Sequence, residues 1–193
     1  MKERITDYTI NSLAIVSPAA KKILKYKKSG SVLDLGTGTG RNALFLGEKG
    51  FEVTALDSVK SKLTALRKIA RERMIPLKIK WANMATFKPA KQYDVVLALV
   101  SLHFLKDSQI AETIKRIKEY TRVGGLNVIT VHTKKNIGKK HERAHLFKKN
   151  ELKGYYRNWQ ILEYREVWGR SFRTKENPTQ VKKHRAELLA RKF

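Results

Sequence analysis

Three glycines at alternate positions, Gly36, Gly38 and Gly40, separate a short apolar run from a helix-like segment in SVLDLGTGTGRN, residues Ser31 to Asn42. A strand that feeds a helix through glycines lets the backbone pass close to a ligand, because no Cβ intervenes. The amides at the helix start can then hold polar or anionic groups. Asp57 lies roughly 20 residues beyond the turn, at the end of the next strand, where a carboxylate accepts hydrogen bonds from both ribose hydroxyls. A nucleotide-like ligand is therefore expected, and to this point NAD fits as well as S-adenosylmethionine. Two residues separate the two ligands. The dinucleotide fingerprint places glycine or alanine three residues after its second glycine, where this chain has Arg41. Asp34 stands two residues before Gly36; a carboxylate there repels a pyrophosphate but suits a ligand presenting an ammonium and a sulfonium. The simpler use of Asp34 is to cap the glycine loop through its own side chain.

Other residues with chemical potential are few. His103, in VSLHFL, follows a buried strand at the expected substrate mouth, where imidazole orients or deprotonates an acceptor near neutral pH. A packed or solvated histidine is the alternative, and for His132, at the end of the following strand, a structural role is the better expectation. His141 and His145 have the helical spacing of a metal pair, but no acid or cysteine partner is evident, so no metal site is expected. The chain has no cysteine, which excludes disulfides, thiolate zinc sites and cysteine nucleophiles.

The elements that must position these groups alternate. SVLDL and FEVTALD read as strands joined by a helix from about Asn42 to Lys49, which Gly50 ends. Ser58 can cap a helix on which Leu63, Leu66 and Ile69 recur. LKIKWAN alternates as a strand, and YDVVLALV is apolar enough to be buried on both faces. Asp107 can cap a helix carrying Ile110, Ile114 and Ile117, and GGLNVITVHT is a strand after a Gly124-Gly125 turn. This order predicts an α/β, Rossmann-like fold: a mostly parallel seven-stranded sheet with helices on both faces. WQILEYREVWG and KKHRAELLARKF predict a C-terminal antiparallel hairpin at its edge. The segment from Lys134 to Lys149 is long, basic and weakly patterned, as a disordered loop or a functional lid is. Tyr155, Tyr156 and Trp159 are expected to pack a short helix against the sheet rather than to wall a site.

At 193 residues the chain is expected to form one domain, with residues 30–132 as the cofactor-binding core and 133–193 as lid-like loop and hairpin. No apolar run is long enough to span a membrane. The N-terminal MKERITDYTI lacks the apolar core of a signal peptide, so a cytoplasmic protein is expected. The net charge of +25 draws RNA, DNA or small anions to a surface; a lysine-rich proteome produces the same charge without any such partner.

VLDLGTGTGRNALFLGEKGFEVTALD resembles the first two motifs of class I S-adenosylmethionine-dependent methyltransferases, and WANMATF, YDVVLALVSLHFL and RVGGLNVITV follow in that family's order. Within the class, GTGTGRNALFL, HLFKKNELKGYYRNWQILEY and the closing LLARK are most similar to the tellurite-resistance methyltransferases. The resemblance implies S-adenosyl-L-methionine as cofactor, with S-adenosylhomocysteine as product. Asp34, Gly36, Gly38 and Gly40 would surround its methionine part and Asp57 would hold its ribose, with Arg41 and Ser58 as further cofactor-binding residues. Asn83, where the class usually has aspartate, would accept from the adenine amino group through its amide oxygen. Met84 would contact adenine, and Val100 and Leu102 would lie near the transferred methyl. Tyr8 would close over the cofactor. His103 and Arg173 are the catalytic candidates: Arg173-Thr174 matches the subfamily's closing Arg-Thr pattern. Phe172 stands where that subfamily has histidine, and Lys175 and Pro178 replace its acidic and glycine positions. The implied reaction is methyl transfer to a small-molecule acceptor, such as an anionic chalcogen oxyanion. The alternatives are an RNA methyltransferase using the basic surface and a non-catalytic cofactor-binding protein. Against RNA, LVSLHF lacks the Asn/Asp-Pro-Pro-aromatic element of amino-group methylating enzymes.

Overall fold

A computed structural model describes residues 15–136, 145–170 and 182–193. Seven strands form one sheet in the order β3-β2-β1-β4-β5-β7-β6. They are β1 (Ser31–Leu35), β2 (Glu52–Asp57), β3 (Leu77–Trp81), β4 (Tyr93–Leu99), β5 (Thr121–His132), β6 (Gln160–Arg170) and β7 (Lys182–Arg191). The first five are mutually parallel. β7 pairs antiparallel with both β5 and β6, so the C-terminal hairpin enters the sheet through its second strand. The predicted parallel core and antiparallel C-terminal edge are both present.

Period-2 alternation divides the strand side chains between two helical layers. Val32, Val53, Ala55, Val95, Leu97 and Val128 face helices α1 (Pro18–Tyr26), α2 (Arg41–Glu48) and α3 (Lys60–Glu72). Leu33, Leu35, Val96, Ala98, Ile129 and Val131 face α4 (Asp107–Glu119) and the short α5 (Glu151–Gly154). Each helix offers a stripe for this purpose: Leu63, Leu66 and Ile69 on α3, and Ile110, Ile114 and Ile117 on α4, are all buried. A fully buried leucine or isoleucine contributes roughly 1.5–3 kcal/mol, so these stripes, not helix propensity, hold the layers on. The polar core is closed by a relay. Tyr156 donates to Asn127 Oδ1 (2.9 Å), Asn127 donates to Thr121 Oγ1 (2.6 Å), and Thr121 donates to the Ile117 carbonyl (2.8 Å). Tyr156 and Trp159 pack edge to face with centroids 5.3 Å apart, as core residues.

Local details depart from the expected ones. α3 begins after Val59, and it is Asp57 Oδ1, not Ser58, that accepts from the Val59 amide (2.9 Å). Asp107 is the first helical residue of α4 rather than its cap; the Gln109 side chain accepts from the Lys106 amide (3.1 Å). β5 begins at Thr121, so Gly124, at φ 72, bends the strand internally where a turn before it was expected. The register with β4 shifts at the same place: Tyr93 pairs with Thr121 and Val95 with Leu126, so the extra residues 122–125 lie on β5.

Candidate active site

The order of the strands reverses between β1 and β4, and open α/β sheets place ligands beyond the strand ends at such a point. A cavity of about 850 Å³ opens there, lined by the turns that follow β1, β2, β3 and β4. Its size is that of a site for a drug-sized or cofactor-sized ligand. Asp34, Gly36, Gly38, Arg41, Asp57, Ser58, Asn83, Met84 and Val100 all line it. Thr37, Thr39, Asn42, Val59, Lys62, Ser101, Phe104, Lys106 and Gln109 join them without having been singled out in the sequence.

The β1 turn is held rigidly. The Gly36 and Thr37 amides both donate to the Leu56 carbonyl (2.8 and 2.9 Å), and the Gly38 amide donates to Asp57 Oδ2 (2.8 Å). Asp57 thus ties the glycine turn to the end of β2 while its remaining lone pairs stay available to a ribose. Only Gly38 fits the expectation of a missing Cβ that leaves room for a ligand: a Cβ there would meet nothing within 4 Å. At Gly40, the residue preceding α2 (φ 84), a Cβ would lie 2.2 Å from Leu66 Cδ1. Gly40 is therefore a packing glycine against α3 and does not line the cavity, contrary to the role expected of it.

Asp34 is the chemically distinctive group. It is 2 % exposed, and burial pushes its carboxyl from the ordinary 3.8 to about 6. The Thr37 hydroxyl, which donates to Oδ2 (2.7 Å), and the Arg41 charge oppose that rise, while the Asp57 charge adds to it. A desolvated carboxylate lining a cavity fits a cationic ligand group, since opposite charge restores the ionised form. These donors and acceptors fit the amino-acid and ribose ends of S-adenosylmethionine.

The other expected residues are placed differently. Asn83 Oδ1 already accepts from the Ala85 amide (2.9 Å), so the side chain closes the turn after β3 as well as lining the cavity. Leu102 is fully buried in the core and away from the cavity, because the chain turns through a short 3-10 segment, Leu102–Phe104. His103 is buried and is not among the cavity-lining residues. Its ring lies 4.1 Å from Phe104 and 4.8 Å from His132, centroid to centroid. His145 does have acidic partners: Nδ1 is 2.8 Å from Asp107 Oδ1 and Nε2 is 3.2 Å from Glu151 Oε1. The sequence pattern missed both because they come from other elements. Among the described residues no cluster of three or more such side chains is placed to hold a metal ion. No helix among them is long and apolar enough to cross a membrane. Tyr8, His141, Phe172, Arg173, Thr174, Lys175 and Pro178 lie outside the described residues.

Comparison with known proteins gives this arrangement its class. The fold is that of the class I methyltransferases. It matches a Burkholderia thailandensis 1,6-didemethyltoxoflavin N1-methyltransferase, solved with S-adenosylhomocysteine bound, at TM-score 0.71 and 21% identity, covering 91% of this chain and 77% of that one. The model of the family described as tellurite resistance protein TehB matches residues 6–189, and the chain belongs to that family. A probable S-adenosyl-L-methionine-dependent methyltransferase TehB of Haemophilus influenzae is 32% identical over 195 residues, covering 99% of this chain and 67% of the relative. The crystal structure of TehB from Haemophilus influenzae superposes at TM-score 0.87 with 29% identity, covering 97% of this chain and 66% of that one. The chain therefore spans about two thirds of the length of these relatives.

Proposed function

We propose that the protein transfers the methyl group of S-adenosylmethionine to a small-molecule acceptor, specifically an anion of the chalcogen-oxyanion kind. The observation that carries this reading is the charge distribution of one cavity. It contains two buried carboxylates, Asp34 and Asp57, together with three cations, half-buried Arg41 and exposed Lys62 and Lys106. When bound, the donor supplies a methyl carbon already activated by its sulfonium. The chain's part is to align the acceptor and exclude water. Asp34 holds the positive end of the donor, Asp57 its ribose, and Asn83 and Met84 its adenine. Arg41, Lys62 and Lys106 draw in an anionic acceptor. An oxyanion takes the methyl on a lone pair and loses one unit of negative charge in doing so, so no proton has to leave and the reaction requires no general base. That agrees with a buried His103 that is not among the cavity-lining residues, its ring 4.1 Å from that of Phe104 and 4.8 Å from that of His132. Arg173 is assigned to the acceptor on the strength of the family resemblance.

Incubating the protein with methyl-labelled S-adenosylmethionine and a panel including selenite and tellurite tests this reading. Label should appear in a methylated small molecule, with S-adenosylhomocysteine formed only when the acceptor is present. Methylation of RNA is a second reading, favoured by the net charge of +25 and by Trp81. That indole is 63 % exposed, donates to the Ser58 carbonyl (2.9 Å) and lies under Lys60. RNA binding that weakens steeply with salt, with label passing into the RNA, would replace the small-molecule reading. Donor binding with no transfer to any acceptor would leave a cofactor-binding protein.

A further inference from the structure

Two features coincide at the end of β4. Val100 adopts φ 57, in the left-handed region where a β-branched residue is strained. Its amide donates to the Thr130 carbonyl (2.8 Å), which anchors the strained turn to β5. Ser101 follows. It lines the cavity, is 2 % exposed, and its Oγ is buried with no hydrogen-bond partner among the described residues. Although Ser101 precedes the Leu102–Phe104 turn, its side chain makes no capping bond there. It stands directly against the glycine turn: a Cβ on Gly36 would lie 2.5 Å from Ser101 Cβ and 3.2 Å from its Oγ. Gly36 is thus a close-approach glycine, and what it admits is Ser101.

A buried hydroxyl without a partner is unfavourable, and a valine in the left-handed region is unfavourable. Where such features cluster beside a cavity, they point to a group that a ligand completes. We infer that the Ser101 hydroxyl is a binding residue for the amino-acid end of the donor. The inference rests on the S-adenosylmethionine reading above and adds a contact to it. Ser101 adjoins Gly36, two residues from Asp34, so it belongs to the end of the cavity where the donor's methionine part is placed. A serine hydroxyl both donates and accepts, so it pairs with either the carboxylate or the ammonium of that part. Neither residue type nor spacing marks Ser101 in the sequence; its contact with Gly36 exists only in the folded chain.

The test uses three ligands on the full chain by calorimetric titration: S-adenosylmethionine, S-adenosylhomocysteine and 5′-methylthioadenosine. The last keeps the nucleoside and the thioether but lacks the amino-acid end. Ser101→Ala should weaken the first two by about tenfold, as loss of one hydrogen bond to a charged group does. It should leave 5′-methylthioadenosine within about twofold. Because the substitution removes an unpartnered buried polar atom, it should raise the melting temperature of the donor-free protein by about 2–4 °C. Equal weakening of all three ligands, a lowered melting temperature, or no change in any affinity would overturn the assignment of Ser101. If the unaltered protein binds no S-adenosylmethionine, the donor reading itself fails and takes this inference with it. Donor binding by the unaltered protein with no effect of Ser101→Ala overturns this inference alone.

Discussion

With Asp34 in the proposed role, the donor site is titratable in a range where few other binding groups change charge. In the donor-free protein its carboxyl is pushed up to about 6, first by burial, with Asp57 adding to the rise and Thr37 and Arg41 opposing it. A cationic ligand end beside it stabilises the ionised form and draws the value back down. Affinity is therefore full well above pH 6 and falls as the pH drops through about 6, because the donor must then displace a proton. At about pH 5 some nine in ten molecules carry the proton, so the apparent Kd should be about tenfold weaker than at about pH 7. The stability sign runs the other way. A folded value raised above the unfolded one favours the fold fully below about pH 4, and that contribution is lost as pH rises through about 6. The rise from 3.8 to about 6 corresponds to about 3 kcal/mol of destabilisation at neutral pH. Asp34→Asn should recover much of this, raising the melting temperature of the donor-free protein while weakening donor affinity and removing its pH dependence. Calorimetric titration in two buffers of different ionisation enthalpy would count the proton released, about half of one near pH 6. A flat Kd between pH 5 and 7, or an Asp34→Asn variant that keeps the slope, would mean that Asp34 is not the titrating contact to the donor.

Asp57→Ala should cost about 3 kcal/mol of donor binding, roughly a hundredfold in Kd by titration. It removes the proposed ribose partner and also frees the Gly38 and Val59 amides that Asp57 now holds. Gly40→Ala should destabilise by roughly 2 kcal/mol in chemical denaturation, from its left-handed backbone and the 2.2 Å approach to Leu66 Cδ1. In the Gly40→Ala, Leu66→Ala double variant the two losses should sum to less than their separate values, since Leu66 truncation vacates the space the new methyl needs. Tyr156→Phe should cost about 1 kcal/mol in denaturation by leaving Asn127 Oδ1 unpaired. Its donor affinity should not change, because Tyr156 lies in the core outside the cavity.

The parallel core was legible because its signals are local. Strands β1, β2 and β4 are short apolar runs, and the stripes of α3 and α4 recur at helical spacing, so each element declares its period without reference to the others. The cavity's outline was legible for a related reason: Asp34, Gly38, Asp57 and Asn83 all sit at strand ends, where the topology places a ligand. What could not be read depended on contacts between elements. Gly40 looked like a ligand glycine because nothing in its neighbours reveals that Leu66, on the next helix, occupies its missing side chain. Leu102 and His103 were misplaced by the short 3-10 turn, which carries both into the interior and leaves Ser101 and Phe104 at the cavity. Ser58 and Asp107 carry the right side chains for caps but stand one residue away from the cap position, since α3 starts after Val59 and α4 starts after Lys106. His145 found Asp107 and Glu151 only through folding.

Donor binding at this cavity is tested most directly by calorimetric titration of the purified chain with S-adenosylhomocysteine at about pH 7.5. One site per chain is expected, with competition by S-adenosylmethionine and strong weakening in Asp57→Ala. Absence of binding by the unaltered protein, or binding that Asp57→Ala leaves intact, would mean that this cavity is not the donor site.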